Sequence, residues 1–238
     1  MGRLEYRPSM QLETSSWTDV EDAAPTTALL PVGSTEQHGP HAPVGTDTII
    51  ARAIAETADG ESTADSVVLP ALPVGVAPYH GHFPGTLSVS SETLRSYVRD
   101  VLESLSASSV ETVVFVNGHG GNGGTLGNLA REVADSSEFD LEAFLWEWMR
   151  AVDDHVGHAG ELETAVLLHL CPEEVGDPVA GDALEWDDTV DGGVVHRFTE
   201  GFSENGAVGD ATGATAEQGE AVFETAVDAL CSFLDRIE

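Results

Sequence analysis

The sequence predicts an α/β protein of three layers, α/β/α, with a mainly parallel sheet covered on both faces by helices. Short apolar runs end abruptly in glycine or asparagine. Stripes of helical period follow them. Runs and stripes alternate along all 238 residues, which is the pattern of strand–helix–strand crossovers. A chain of this length fits one core, so residues 1–238 are read as a single domain.

The elements follow in order. Residues 26–32 (TTALLPV) make a buried strand stopped by Gly33. The spacing of Ile49, Ile50, Ala53 and Ile54 marks a helix over 47–57. Residues 66–74 (SVVLPALPV) favour β structure, but Pro70 and Pro73 lack the N–H a ladder needs, so this is an edge or broken strand. A loop of Gly, Pro and His spans 75–90. Ser91 and Glu92 open a helix with Leu94, Tyr97, Val98, Val101, Leu102 and Leu105 on one stripe. Residues 110–116 (VETVVFV) are the clearest strand, with Gly-rich turn and helix signals behind them. Residues 141–148 read as another strand, and 160–170 as a helix stopped by Pro172. Patterning is weak over 173–212, apart from a short strand at 194–198. A long final helix keeps Phe223, Val227, Leu230, Leu234 and Ile237 on one face. Core packing is the expected place of Trp146, Trp148 and Trp186, and His41, His155, His169 and His196 are read as structural or exposed.

Charge excludes several classes of partner. The chain has 42 acids against 9 bases, a net charge of −33, and every base is arginine. Dispersed acids repel nucleic acid and anionic lipid, so neither is an expected partner. No apolar run approaches the roughly 18 residues of a membrane span. The first eleven residues carry Arg3, Glu5 and Arg7 and no apolar signal region. Cys171 and Cys231 sit apart in apolar helical patterns, as small buried hydrophobes and not as a disulfide. These features fit a reducing cytoplasm.

Three clusters carry chemistry. Gly33-Ser34-Thr35-Glu36-Gln37-His38-Gly39-Pro40-His41, with Asp47 beyond it, follows the first strand. Residues two apart on an extended chain share a side, so Glu36 and His38 aim at one point beyond the strand end. Asp47 faces the same crevice from a helix start. Such ligands reach a cation at roughly 2.0–2.2 Å and suit Zn, Mn or Fe. His119 supplies a ligand in the second cluster, residues 117–122. In the third, Glu163 shares a helical face with Val166, Leu167 and Leu170, where a carboxylate needs a cation or donor. His158, just before that helix, suits a proton shuttle. The loop with His80 and His82 is read as lining the pocket. Gly118 to Gly123 also fits G-x-G-x-x-G between strand and helix, which leaves a nucleotide-dependent oxidoreductase as an alternative. A non-catalytic, metal-stabilised binding protein is the other.

Four segments, LPVGSTEQHGPHAPVGTD (30–47), HGHFPGT (80–86), VNGHGGN (116–122) and HAGELET (158–164), resemble the creatininase family of metal-dependent amidohydrolases in order and spacing. The later GDATGATAEQGE (209–220) is similar to a family C-terminal segment. The resemblance implies an α/β/α fold, a centre of one or two divalent ions (Zn, Mn or Fe), a small amide substrate and a homo-oligomer, often a hexamer. It also implies roles: Glu36, Asp47 and His119 on one ion, and His38 with the bridging Asp47 on a second. His158 would be the proton donor, with Glu161 or Glu163 orienting it. Backbone N–H groups of Gly118 to Gly121, Gly120 included, would face the oxyanion. Creatininase itself has a metal-binding Glu two residues after the His of its NGH motif. This chain has Gly121 there, and Glu163 is expected to take that place. Relatives of NGHGGN form include an archaeal formamide hydrolase of flavin and deazaflavin synthesis and a mycofactocin precursor peptidase. The charge tilts the expectation toward the first.

A surface this acidic repels itself until salt screens it, and the sequence is read as halophilic. The melting temperature is expected to be higher in molar salt than in dilute buffer. Equal melting temperatures in both would refute that reading.

Overall fold

The computed structural model describes residues 9–136, 138–152, 157–183, 187–191 and 193–237. The expectations for His155 and Trp186 lie outside the described residues.

The sheet centres on β1 (Thr27–Val32) and β3 (Thr112–Asn117). Strand β2 (Ser66–Val68) flanks β1, and β4 (Glu142–Glu147) flanks β3. The order is β2-β1-β3-β4 and every pairing is parallel. Every residue of β1 is buried, as a strand covered on both faces must be. Its side chains alternate between two apolar clusters. Ala28, Leu30 and Val32 pack with Val113 and Phe115 under α3 (Ser91–Leu105) and α4 (Gly123–Asp135). Leu29 packs with Val114 and Val116 under α2 (Thr46–Glu61), α6 (Glu161–Leu170) and α7 (Ala216–Ile237). The register sets Val32 opposite Asn117, and Asn117 opposite Glu147. The strands therefore end level, and the loops carrying the first two clusters leave from one edge of the sheet. Ligand-binding crevices of open parallel sheets form at that edge.

Several sequence expectations need adjusting. Strand β2 ends at Val68, and the Leu72 N–H then reaches the Pro31 carbonyl at 2.9 Å, which is the break Pro70 foreshadows. The strand expected over 141–148 stops at Glu147, because Trp148 opens a short helix, α5 (Trp148–Val152). Both Trp146 and Trp148 are core residues. The sequence reading passes over α1 (Trp17–Ala23), although Ser16 and Asp19 form a reciprocal capping box at its start. It also passes over β5 (Asp187–Val190), the antiparallel partner of β6 (Gly193–His196). Cys171 and Cys231 are free and only half-buried. Burial, with Glu61, Asp228 and Asp235 nearby, pushes the Cys231 thiol up to about 11. His41 is buried and pairs with the Thr164 hydroxyl at 2.9 Å, and His169 packs on the Phe223 ring. Among the described residues no helix is long and apolar enough to cross a membrane.

One close approach positions the site. A Cβ added to Gly118 would stand 2.2 Å from the carbonyl oxygen of Asp47. The start of α2 thus lies directly on the exit of β3, which brings Asp47 and His119 together. Gly118→Ala is expected to lower stability by about 1–3 kcal/mol, as overpacking does, read as a lower denaturation midpoint. A wild-type midpoint would mean that the contact relaxes freely.

Candidate active site

Three segments meet at the level strand ends. Glu36 and His38 come from the loop after β1, where the Glu36 N–H donates to the Val44 carbonyl at 2.9 Å and His38 bridges Ala42. Asp47 is the second residue of α2, and His119 follows β3. Glu163 comes from the first turn of α6. All five are buried: Glu36, Asp47 and Glu163 are 1%, 2% and 4% exposed.

The second nitrogen of each imidazole decides what the first can do. In His119, Nε2 is 3.0 Å from the Val76 carbonyl oxygen, a pure acceptor, so Nε2 carries the proton and donates it. Nδ1 then turns a lone pair toward Glu36 Oε2 at 3.2 Å and Asp47 Oδ2 at 3.3 Å. In His38, Nδ1 donates to the Glu36 carbonyl at 3.1 Å. Its Nε2 faces Asp47 Oδ1 at 3.3 Å and Glu163 Oε2 at 3.8 Å. Asp47 thus stands between the two imidazoles, one oxygen toward each. Glu36 Oε2, Asp47 Oδ2 and His38 Nε2 are buried without a hydrogen-bond partner. Groups held this close repel one another unless a cation sits among them or an imidazole carries a second proton. The donor set fits a divalent ion on that ground. Two trios, Glu36/Asp47/His119 and His38/Asp47/Glu163, each keep their ligand atoms within 4.8 Å of one another.

Protonation follows from the same geometry. Burial lowers the His119 pKa, but Glu36 and Asp47 outweigh it and hold it well above the ordinary value. His38 is likewise raised, against burial, by Asp47 and Glu163. Burial alone would raise Asp47; His38 and His119 bring it down to about 2. His158 and His80 behave oppositely. Burial, with His38 beside it, holds His158 well below the ordinary range, and burial against the pull of Glu36 takes His80 down to about 4.

The remaining expected residues fall into place unevenly. His158 lies with Nδ1 3.4 Å from Glu36 Oε1, and His80 with Nε2 3.6 Å from the same oxygen. Both line a cavity of about 370 Å³ with Val76, Ala77, Tyr79 and Met149. Glu163 accepts the Ala159 N–H at 2.6 Å while it faces His38. Glu161 is a correction: it is exposed on the opposite side of α6 and its carboxylate accepts from the Gln218 side chain at 3.0 Å. Gly118 is another. Its N–H is engaged by the Val32 carbonyl at 2.9 Å, so it lines the cavity without offering a donor to an oxyanion. A Cβ at Gly121 would stand 2.4 Å from His119 Nε2, so the position admits no side chain in this geometry. His82 is exposed and pairs with Glu200 at 2.6 Å. The dinucleotide alternative fails on charge: the Glu147 carboxylate stands against Gly123, the first residue of α4, where a pyrophosphate would bind.

Three working residues escape the sequence reading. Asn122 accepts the Val76 N–H at 2.9 Å and donates to the Gly33 carbonyl at 2.9 Å, which sets the carbonyl that orients His119. Asn117 accepts the His119 N–H at 3.2 Å. Gln37 joins His158 and His80. An Asn at each end of the 117–122 cluster is the only local signal.

Comparison with known proteins agrees with the geometry. The chain matches the family model Creatininase (creatinine amidohydrolase) over residues 13–234. It is 38% identical over 219 residues to the mycofactocin precursor peptide peptidase of Mycolicibacterium smegmatis, covering 87% of this chain and 84% of that one. To the protein of that name from Mycobacterium tuberculosis it is 34% identical over 255 residues, covering 96% and 88%. A solved structure titled "Creatininase Mn" superposes with a TM-score of 0.81 at 22% identity, covering 96% of this chain and 98% of that one. The chain belongs to the creatininase family, and it is a hydrolase acting on C–N bonds.

Ligand histidines must be neutral to bind an ion, yet His38 and His119 are raised and hold protons without one. Zinc added to metal-free protein is therefore expected to release protons and to bind more tightly as pH rises. Calorimetry in buffers of different ionisation enthalpy reads this; heats independent of the buffer would exclude it.

Proposed function

We propose that this protein is a metal-dependent hydrolase that cleaves an amide bond of a short peptide. Glu36, Asp47 and His119 would hold one divalent ion, and His38, Asp47 and Glu163 a second, with zinc, manganese and iron all compatible with the donors. The observation that carries the reading is the convergence of Glu36, His38, Asp47, His119 and Glu163 in one buried cluster, each trio within 4.8 Å, with Glu36 Oε2, Asp47 Oδ2 and His38 Nε2 lacking a hydrogen-bond partner. When bound, such ions supply Lewis acidity and a water acidic enough to deprotonate near neutral pH.

The chain's own groups supply the rest. His158, neutral and edge-on to Glu36, is placed to hand a proton to the departing nitrogen. Gly120 and Gly121 line the cavity with backbone only, which lets a carbonyl come close. Val76, Ala77, Tyr79 and Met149 form a mostly apolar wall beside it.

Two observations support a peptide over the formamide nucleotide that the sequence first suggests. The relatives at 34% and 38% identity carry a peptidase name. Among the described residues no arginine lines the cavity, whose charged groups are Glu36, Asp47, Glu163 and histidines. A phosphate would meet acids and no guanidinium there.

The test is a substrate panel of short peptides, a formamide and creatinine, in molar salt with zinc or manganese. Amine release from the peptides is expected, and turnover of the formamide alone would overturn the peptide reading. His119→Ala is expected to lose ion and activity together. His158→Gln is expected to keep its ions and lose kcat by about 10²- to 10⁴-fold, the range of general acid–base assistance. Equal ion loss in both variants would refute the separate roles.

A further inference from the structure

Gln37 sits inside the Glu36–His38 motif, yet nothing in the chemistry above uses it. Its amide is held in one orientation by two backbone groups. Oε1 accepts the Gly39 N–H at 2.9 Å, and Nε2 donates to the Gly206 carbonyl at 2.8 Å. A flipped amide would set oxygen against oxygen and N–H against N–H, so the backbone settles which end is nitrogen. One amide hydrogen goes to Gly206. The other faces two imidazole nitrogens, His158 Nε2 at 2.8 Å and His80 Nδ1 at 2.9 Å. His80 Nδ1 also has the Thr199 hydroxyl at 3.0 Å, a partner that can donate to it or accept from it. The second amide hydrogen is thereby left to His158.

We infer that Gln37 is a positioning residue that holds His158 as the Nδ1–H tautomer and so bars it from the metal. The three histidines divide by what faces their far nitrogen. His38 and His119 meet backbone carbonyls there, which take the proton and leave a lone pair for an ion. His158 meets an amide N–H, which demands the lone pair at Nε2 and leaves the proton on Nδ1. Yet His158 is within ligand reach, its nitrogen forming a trio with Glu36 and His38 inside 4.8 Å. Distance alone would make it a sixth ligand. The Gln37 donor makes it instead a hydrogen-bond donor aimed at Glu36 Oε1, 3.4 Å away. Its ring is braced between His80, stacked at 4.1 Å, and His38 at 4.3 Å, so the ring cannot turn over to swap its nitrogens without displacing both. This rests on the reading of His158 as the proton carrier.

The experiment is nitrogen NMR of the zinc-loaded protein labelled at histidine, with the His158 signals assigned by their loss in His158→Gln. The wild type is expected to show Nδ1 protonated and Nε2 bare. Gln37→Glu keeps the shape but replaces the donor by an acceptor. It is expected to move the His158 proton to Nε2 and to lower kcat on the peptide substrate on the order of 100-fold, with KM little changed. Gln37→Met, which neither donates nor accepts, is the second variant in case the buried carboxylate prevents folding; it is expected to lose the single-tautomer signature. An Nε2-protonated His158 in the wild type overturns the inference. So does either folded variant that keeps the wild-type tautomer. The tautomer is read without substrate, so a protein inactive on every peptide but with the expected signals would sink the proposed function and leave this inference standing.

Discussion

Burying a carboxylate is expensive unless a cation or donor meets it. This protein buries three of them, Glu36, Asp47 and Glu163, against two imidazoles. Everything around them keeps them close. Parallel register ends β1 and β3 level, so Glu36 and His119 emerge side by side. Gly118 lets α2 lie on the strand exit and brings Asp47 between the two histidines. Asn122 ties the loop after β1 to Val76, whose carbonyl aims His119. Without an ion, protons on His38 and His119 are what offset the charge. Packing on both sheet faces keeps these groups from spreading apart, and a divalent ion, if bound, would take over the balancing role of those protons.

The residues legible in the sequence are those whose meaning is local. Glu36 and His38 show the two-residue spacing of an extended chain, and Glu163 betrays itself as an acid on an apolar helical face. The same helical geometry should have removed Glu161, since two residues along a helix turn roughly 200° and face the other way. Parallel strands buried on both sides announce themselves as apolar runs, so β1 and β3 are read almost to the residue. The acidic β5, Asp187–Val190, carries no such run and stays hidden. Gln37, Asn122 and Thr199 act across the fold, Gln37 on a carbonyl 169 residues away. No periodicity or spacing encodes a donor whose acceptor is set only by tertiary contact. That is why the clustered acids and imidazoles are legible in the sequence and the groups that orient them are not.

Composition and site are connected through what the chain lacks. It has no lysine, and Arg52, Arg95, Arg99 and Arg150 are each engaged by acids on partly or largely exposed side chains. Among the described residues no arginine reaches the cavity. Surface acids can rely on dissolved salt, because at about 1 M the screening length falls to about 3 Å. The cage cannot, since ions in bulk water do not screen charges sealed from it. Beyond backbone donors such as the Ala159 N–H, a chain with so few bases can balance buried acids with protons on histidine or with a bound divalent cation. Histidines with a carbonyl behind them can alternate between those two states, giving up a proton as an ion enters. A histidine with an amide donor behind it would keep its proton beside such ions, where a leaving amine would need one.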